Sequence, residues 1–316
     1  MPKTPSIVKE IQQYNHQKVN YAYQKNISYS QYSIWKKCPK HWALQYRDGH
    51  KIYNASIHAV FGKALHEALQ HYLTVMYEKS GAAADREDIL GMFKDKLREH
   101  YLDEYKKNKE QHFSSPGELS EFYEDGEKIL NYIKKHRGRY FSKRGWHLVG
   151  IETPILAAPN PKFRDILYMG YLDVVFYHEG TNTFKIIDIK TSTKGWNDYA
   201  KKDEEKQFQL ILYKKFFSEQ FGIPEKNIDI EFFIVRRKVY TDGDYPQNPI
   251  QEFKPPSGKI KMGRAIKALN EFIEECFVGN SYTEKEMDPN PSKWNCTFCP
   301  YKEDKELCGL GANLEN

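Results

Sequence analysis

Two apolar runs, at residues 168–177 and 184–190, constrain the fold of this chain more than any other feature. Both are rich in β-branched and aromatic residues, and the His-Glu-Gly180-Thr-Asn182 between them supplies a glycine and an asparagine, which tolerate the positive φ of a tight turn. The pattern predicts a β-hairpin, and with it a sheet at the heart of the molecule. Side chains alternate faces along a strand, so Asp188 and Lys190 project together while Ile187 and Ile189 point the other way. The hairpin carries Asp173, in Gly-Tyr-Leu-Asp173-Val-Val-Phe, towards Asp188. Two carboxylates with a lysine beside them suit Mg2+ or Mn2+ and metal-assisted phosphodiester hydrolysis. An isolated Asp-x-Lys is more often a solvated pair at a strand end, so the reading needs further residues.

Those residues come from two helices. Phe61-Gly62-Lys-Ala-Leu-His66 continues to Met76 with apolar residues at 65, 69, 72 and 76, which is helical spacing with His66 beside the buried stripe. Residues 206–217 also read as a helix, on which Gln209 and Tyr213 share a face at i and i+4. Taken singly, His66 reads as a core histidine, and Gln209 with Tyr213 as the edge of an amphipathic helix. The remaining strands are expected at 147–152 and 228–235, and Glu152, on the first, either joins the metal shell or is a solvated strand acid, the solvated acid being the favoured reading. Between the start of the first helix and the sheet, residues 61–142 are mainly helical, with helices at 86–107 and 118–141 forming a lobe or arch over the site. After a catalytic core at 147–238, loop-rich stretches at 242–246 and 255–258 lead to a helix at 259–278. The expectation is one domain over residues 1–316.

In combination, the order Gly62/His66, Gly170/Asp173, Asp188-Ile-Lys190, Gln209/Tyr213 resembles the RecB-like branch of the PD-(D/E)XK nuclease superfamily, and Tyr29 to Trp42 resembles the segment that opens many of these domains. The resemblance implies an α/β fold, a restriction-endonuclease-like mixed sheet flanked by helices. It implies His66, Asp173 and Asp188 as metal ligands, the Ile189 carbonyl as another, and Lys190 as the catalytic lysine, with Gln209 and Tyr213 contacting DNA or bracing the site.

Cysteines form a second constellation: Cys38 near the start, then Cys296, Cys299 and Cys308, with Cys276 left over in a helical, apolar context. One early and three late thiols make four candidate ligands. The AddB nuclease domain and the CRISPR-adaptation exonucleases of the same superfamily are similar here, and that likeness implies a [4Fe-4S] cluster joining Cys38 to the 290–310 patch. The gap between Cys299 and Cys308 is wider than the family pattern, and Cys-x-x-Cys with two further thiolates also suits tetrahedral Zn2+. Closing so long a loop constrains the unfolded chain.

Composition sets limits without choosing a function. Among 316 residues, 40% are hydrophobic and 15% aromatic, which is globular and not disordered. Lys and Arg at 48 against Asp and Glu at 43 leave +5, which permits nucleic-acid binding without demonstrating it. Candidate phosphate-contacting patches are Arg236-Arg-Lys238 and Lys134-Lys-His-Arg137-Gly-Arg139 with Lys143-Arg144. Tyr21, Tyr23, Tyr29 and Tyr32 either stack on bases or fill a core, the core being the favoured reading. No apolar run is long enough for a signal peptide or membrane span, so a cytoplasmic, reducing location is expected. The functional expectation is a divalent-metal-dependent deoxyribonuclease, an exonuclease on single-stranded or free DNA ends. With no helicase phosphate loop in the chain, unwinding would fall to a helicase or recombination partner. The alternative is a non-catalytic DNA-binding or scaffolding subunit of a helicase–nuclease complex.

Overall fold

Period-two alternation in the middle of the chain becomes a mixed sheet, and the 3.6-residue pattern before it becomes a helical layer. The computed structural model describes residues 4–14, 25–141, 144–239 and 247–309; Tyr21, Tyr23, Lys143 and the 242–246 stretch lie outside these. The first elements are α1 (Ser6–Gln13), β1 (Lys25–Ile27), α2 (Tyr29–Lys37), α3 (Pro39–Trp42), α4 (Ile57–Glu78), α5 (Gly81–Arg86), α6 (Ile89–Lys107) and α7 (Pro116–Tyr140). Then come β2 (Trp146–Ala157), β3 (Ile166–His178), β4 (Thr183–Ser192), α8 (Asp198–Lys202), α9 (Glu204–Phe221), β5 (Ile228–Arg236) and β6 (Ile250–Phe253). The last are α10 (Lys259–Cys276), β7 (Phe277–Val278), β8 (Ser281–Tyr282), α11 (Lys293–Cys296) and α12 (Lys305–Cys308). Helix starts fall at short polar residues: Ser28, Ser80, Asp88, Ser115 and Asp203 each accept a hydrogen bond from a first-turn backbone N–H of α2, α5, α6, α7 and α9.

The chain divides into two compact units. Of the described residues, one takes in those up to Tyr14, Ala55–Thr153 and Tyr171–Ser257; the other takes in residues 25–54, Pro154–Gly170 and the part from Gly258 onward.

In the first unit, β3 and β4 form the expected hairpin, with Val174 opposite Ile187 and His178 opposite Thr183. Asn182 takes the positive φ of the turn, at 51°. Strands β4 and β5 run parallel, with Asp188 beside Phe232 and Lys190 beside Ile234. A parallel pair needs a crossover, and α9 supplies it. Strand β6 closes this side antiparallel to β5. One sheet face, carrying Ile187, Ile189, Phe233 and Val235, is buried with α4, α6 and α7 in a single apolar cluster. On the other face, Phe184 meets Phe217 of α9 with ring centroids 5.6 Å apart. Within the helical layer, Phe61 packs edge-on against Phe93 at 5.9 Å and Phe122 at 5.5 Å. Gly126 lets α7 approach α6, since a Cβ there would lie 2.2 Å from the Phe93 ring. These helices therefore form a packed lobe rather than an open arch.

Four of the basic residues read as phosphate contacts are engaged within the protein. Arg237 and Lys238 each reach Asp125 at 2.8 Å and Glu121 at 2.8 and 2.6 Å, and the Arg237 guanidinium lies 3.9 Å from the Phe122 ring centroid. Arg137 pairs with Asp85 at 3.0 Å and Lys134 donates to the Asp85 carbonyl at 3.0 Å. These contacts join α7 to the end of β5 and to α5, uses that local sequence does not reveal.

In the second unit, β1 runs parallel to the start of β3, with Lys25 beside Ile166 and Ile27 beside Tyr168. Tyr32, Trp35 and Trp42 gather around Phe272 of α10, with centroids 6.4, 5.5 and 5.7 Å from it. Tyr32 is thus a core residue, buried to 1% exposure. Cys276 is buried on α10, as its apolar context suggested.

Candidate active site

The candidate side chains converge from four elements of the first unit. Helix α4 presents His66 and, one turn on, Gln70; β2 presents Glu152, β3 Asp173, and β4 Asp188 and Lys190. The backbone ties them together. Asp173 Oδ2 accepts from the Ile189 N–H at 2.6 Å, and His66 Nε2 donates to the Ile189 carbonyl at 2.7 Å. A carbonyl only accepts, so Nε2 carries the proton and Nδ1 keeps a lone pair, 3.9 Å from Asp173 Oδ2. Lys190 Nζ reaches Asp188 Oδ2 at 2.7 Å, with Asp188 buried to 2% exposure. On α9, Gln209 Nε2 donates to Tyr213 Oη at 3.3 Å, so those two brace each other.

Two residues enter the site in ways the sequence concealed. Glu152 is open to solvent, as a strand acid would be, yet its carboxylate, Asp173 and His66 offer ligand atoms all within 4.8 Å of one another. Its backbone has φ 49°, a left-handed conformation rare for glutamate, which breaks the strand's alternation and redirects the side chain. Gln70, buried to 7% exposure, donates to Glu152 Oε1 at 2.6 Å and to the Asp173 carbonyl at 3.3 Å. The available signal was its i+4 position after His66, on the same helical face.

Electrostatics follow from this crowding. Burial, then the neighbouring Asp188, push the Asp173 carboxyl well above the usual range. Burial alone would lower Lys190, but Asp188 and then Asp173 outweigh it and hold the ammonium above its usual value. Burial lowers His66, which favours the neutral imidazole that can ligate a cation. Tyr213 is raised, first by burial and then by Asp188, so its phenol stays a donor. Three carboxylates and one ammonium leave excess negative charge in a partly dry site, and the oxygen-rich donor set fits a hard divalent cation.

The cysteines occupy the second unit. Cys38 precedes α3, Cys296 ends α11, Cys308 ends α12, and Cys299 lies between the last two. Burial raises the Cys299 thiol, and Cys38, Cys296 and Cys308 each add to the rise, so the four sit within electrostatic reach of one another. The Asn290 N–H donates to Cys38 Sγ at 3.4 Å, and the Asn290 and Asn295 side-chain amides donate to the Lys37 carbonyl at 3.0 and 2.9 Å. The early segment is thereby bonded to the late one without a disulfide.

The first unit is thus a mixed sheet with helices on both faces that bears acids and a lysine on adjacent strands. The profile of the PD-(D/E)XK nuclease superfamily matches residues 26–304, and the chain belongs to that superfamily. It is therefore a metal-dependent nuclease that binds DNA. Among solved structures, the chain is similar to a candidate exonuclease from Eubacterium rectale, at 13% identity and a TM-score of 0.45, over 85% of this chain and 83% of that one. No curated protein matches. Among the described residues, no helix is long and apolar enough to cross a membrane.

Proposed function

We propose that this nuclease is an exonuclease that removes nucleotides from single-stranded DNA ends, in repair, recombination or viral DNA processing. The observation that carries the catalytic assignment is the Ile189 peptide, which binds Asp173 through its N–H and His66 through its carbonyl, between Asp188 and Lys190 on the same strand. Glu152, Asp173 and His66 would hold a Mg2+ or Mn2+ ion, with Asp188 and the Ile189 carbonyl as further oxygen donors. When bound, the ion supplies positive charge to the phosphate oxygens and to the attacking water. Lys190, held charged beside Asp188, faces developing negative charge on the phosphate. The Tyr213 phenol, oriented by Gln209, offers a proton-bearing contact at the edge of the site. Gln70 fixes the Glu152 carboxylate, which otherwise swings freely from an exposed position.

In the second unit the four cysteines would hold a [4Fe-4S] cluster. The four thiols lie within electrostatic reach of one another, and the likeness to the AddB nuclease domain favours the cluster over a tetrahedral zinc ion. The preference for ends rests on the resemblance to RecB-like exonucleases. Cleavage of matched linear, end-blocked and circular single strands, with an RNA strand in parallel, tests it; equal cutting of circular DNA would make the enzyme an endonuclease.

A further inference from the structure

The strand-end cluster Arg236-Arg-Lys238 has one member that the protein's own carboxylates do not use. Arg237 and Lys238 are paired with Glu121 and Asp125. Arg236 has no ion pair among the described residues, and its Nε is buried without an acceptor. An unsatisfied guanidinium N–H is costly to retain and calls for an explanation.

Position supplies one. Lys190 pairs with Ile234 and Ser192 with Arg236 in the parallel ladder. Alternation puts Asp188, Lys190 and Arg236 on the same sheet face. Strand spacing places the Arg236 backbone about 8 Å from that of Lys190, two residues further towards the C-terminal edge. The turn that leaves Lys190 is built around this arginine. Gly195, at φ 86°, has no room for a side chain: a Cβ would lie 2.7 Å from Arg236 Nε and 3.0 Å from Gln251 Oε1. Gln251 holds the same turn by accepting from the Trp196 N–H at 2.8 Å and donating to the Trp196 carbonyl at 3.0 Å. Ser192 Oγ accepts from the Gly195 N–H at 3.1 Å. Trp196 then packs on Phe232, on the catalytic face, with centroids 4.8 Å apart. A pinned turn thus seats one arginine beside the catalytic strand.

We propose that Arg236 is a positioning residue that binds a phosphate adjacent to the scissile one, through the planar guanidinium fork that recognises phosphate oxygens. The inference rests on the nuclease reading above, and its test is kept separate from turnover. Binding of a fluorescent single-stranded oligonucleotide is measured against salt in the Lys190→Ala background, with Ca2+ present. Arg236→Gln is expected to weaken binding about tenfold and to reduce the slope of log K against log salt by about 0.7, the share of one phosphate on a single strand. Arg236→Lys should keep the slope. Because Nε has no partner to lose, the melting temperature of Arg236→Gln should match that of the parent, which separates a binding role from a structural one. An unchanged affinity and slope in Arg236→Gln would overturn the inference while leaving the catalytic assignment intact. A wild-type protein that cleaves nothing but binds DNA with an Arg236-dependent slope would support the inference and remove the catalytic assignment.

Discussion

The two chemical centres of this protein are built in opposite ways. The acidic site is assembled from α4, β2, β3 and β4, and its parts are held by hydrogen bonds to backbone: Ile189 to Asp173 and His66, and Gln70 to Asp173. The cysteine patch is assembled from Cys38 before α3, from α11 and α12, of four residues each, and from the turn between them, with Trp294 and Phe298 exposed on either side of Cys296. So short a helix has little stability of its own. The contrast teaches that the acidic side chains are tied to one another through the sheet backbone, while the cysteine patch would draw most of its order from the metal group proposed for it.

The largest expected effect separates chemistry from folding. Asp188→Asn should lower cleavage by roughly three orders of magnitude while leaving circular dichroism and melting unchanged, because the carboxylate faces the site and not the apolar core. Melting that falls as far as activity would make Asp188 a structural residue. The cysteine centre should behave inversely. Cys296→Ala should abolish visible absorbance and iron content and destabilise the fold by roughly 4 kcal/mol, the scale of closing a loop of more than a hundred residues. Iron retained at the wild-type level would remove Cys296 from the ligand set.

A finer probe concerns Gln70. Gln70→Leu keeps most of the buried volume but releases Glu152, and should raise the Mn2+ concentration for half-maximal activity by about 10- to 100-fold, with rate recovered at saturating metal. A lost maximal rate with unchanged metal dependence would mean that Gln70 acts on something other than the ligand. The smallest effect concerns an exposed ion pair on α7. Lys238, then Arg237, hold Glu121 down to about 2 from its ordinary 4.5. A depressed folded value contributes stability above the unfolded value and loses it as pH falls towards the folded one. Glu121→Gln should therefore flatten the acid side of the melting profile between about pH 4.5 and 2, weakly and less so in high salt. An identical acid limb would show that the pair is solvated away.

What the sequence disclosed follows period. Asp173, Asp188, Lys190 and the hairpin were legible because strand alternation alone puts an acid and a lysine on one face. Helix α4 was legible from its apolar spacing, and the mixed sheet from the pattern of strands around one crossover helix. Where Glu152 reaches was not legible because alternation assumes regular strand backbone, and its φ of 49° departs from that. Gln70 was missed because its partners lie 82 and 103 positions away. Arg237 and Lys238 looked like phosphate contacts because Glu121 and Asp125 lie more than a hundred residues upstream, on a helix whose placement depends on the Phe61, Phe93 and Phe122 packing. The choice between lobe and arch was not legible for the same reason: a run of helices does not reveal that aromatic rings close the space between them.

The central claim is that the strand bearing Asp188 and Lys190 cuts phosphodiester bonds with a divalent cation. Its most direct test is cleavage of free-ended and end-blocked single-stranded DNA by the wild-type protein and by Lys190→Ala, in Mg2+, Mn2+ and EDTA. The account predicts release of nucleotides from free ends by the wild-type protein in Mg2+ or Mn2+, none in EDTA, and none from the folded Lys190→Ala protein. Equal cleavage by both proteins, or cleavage that persists in EDTA, would contradict it.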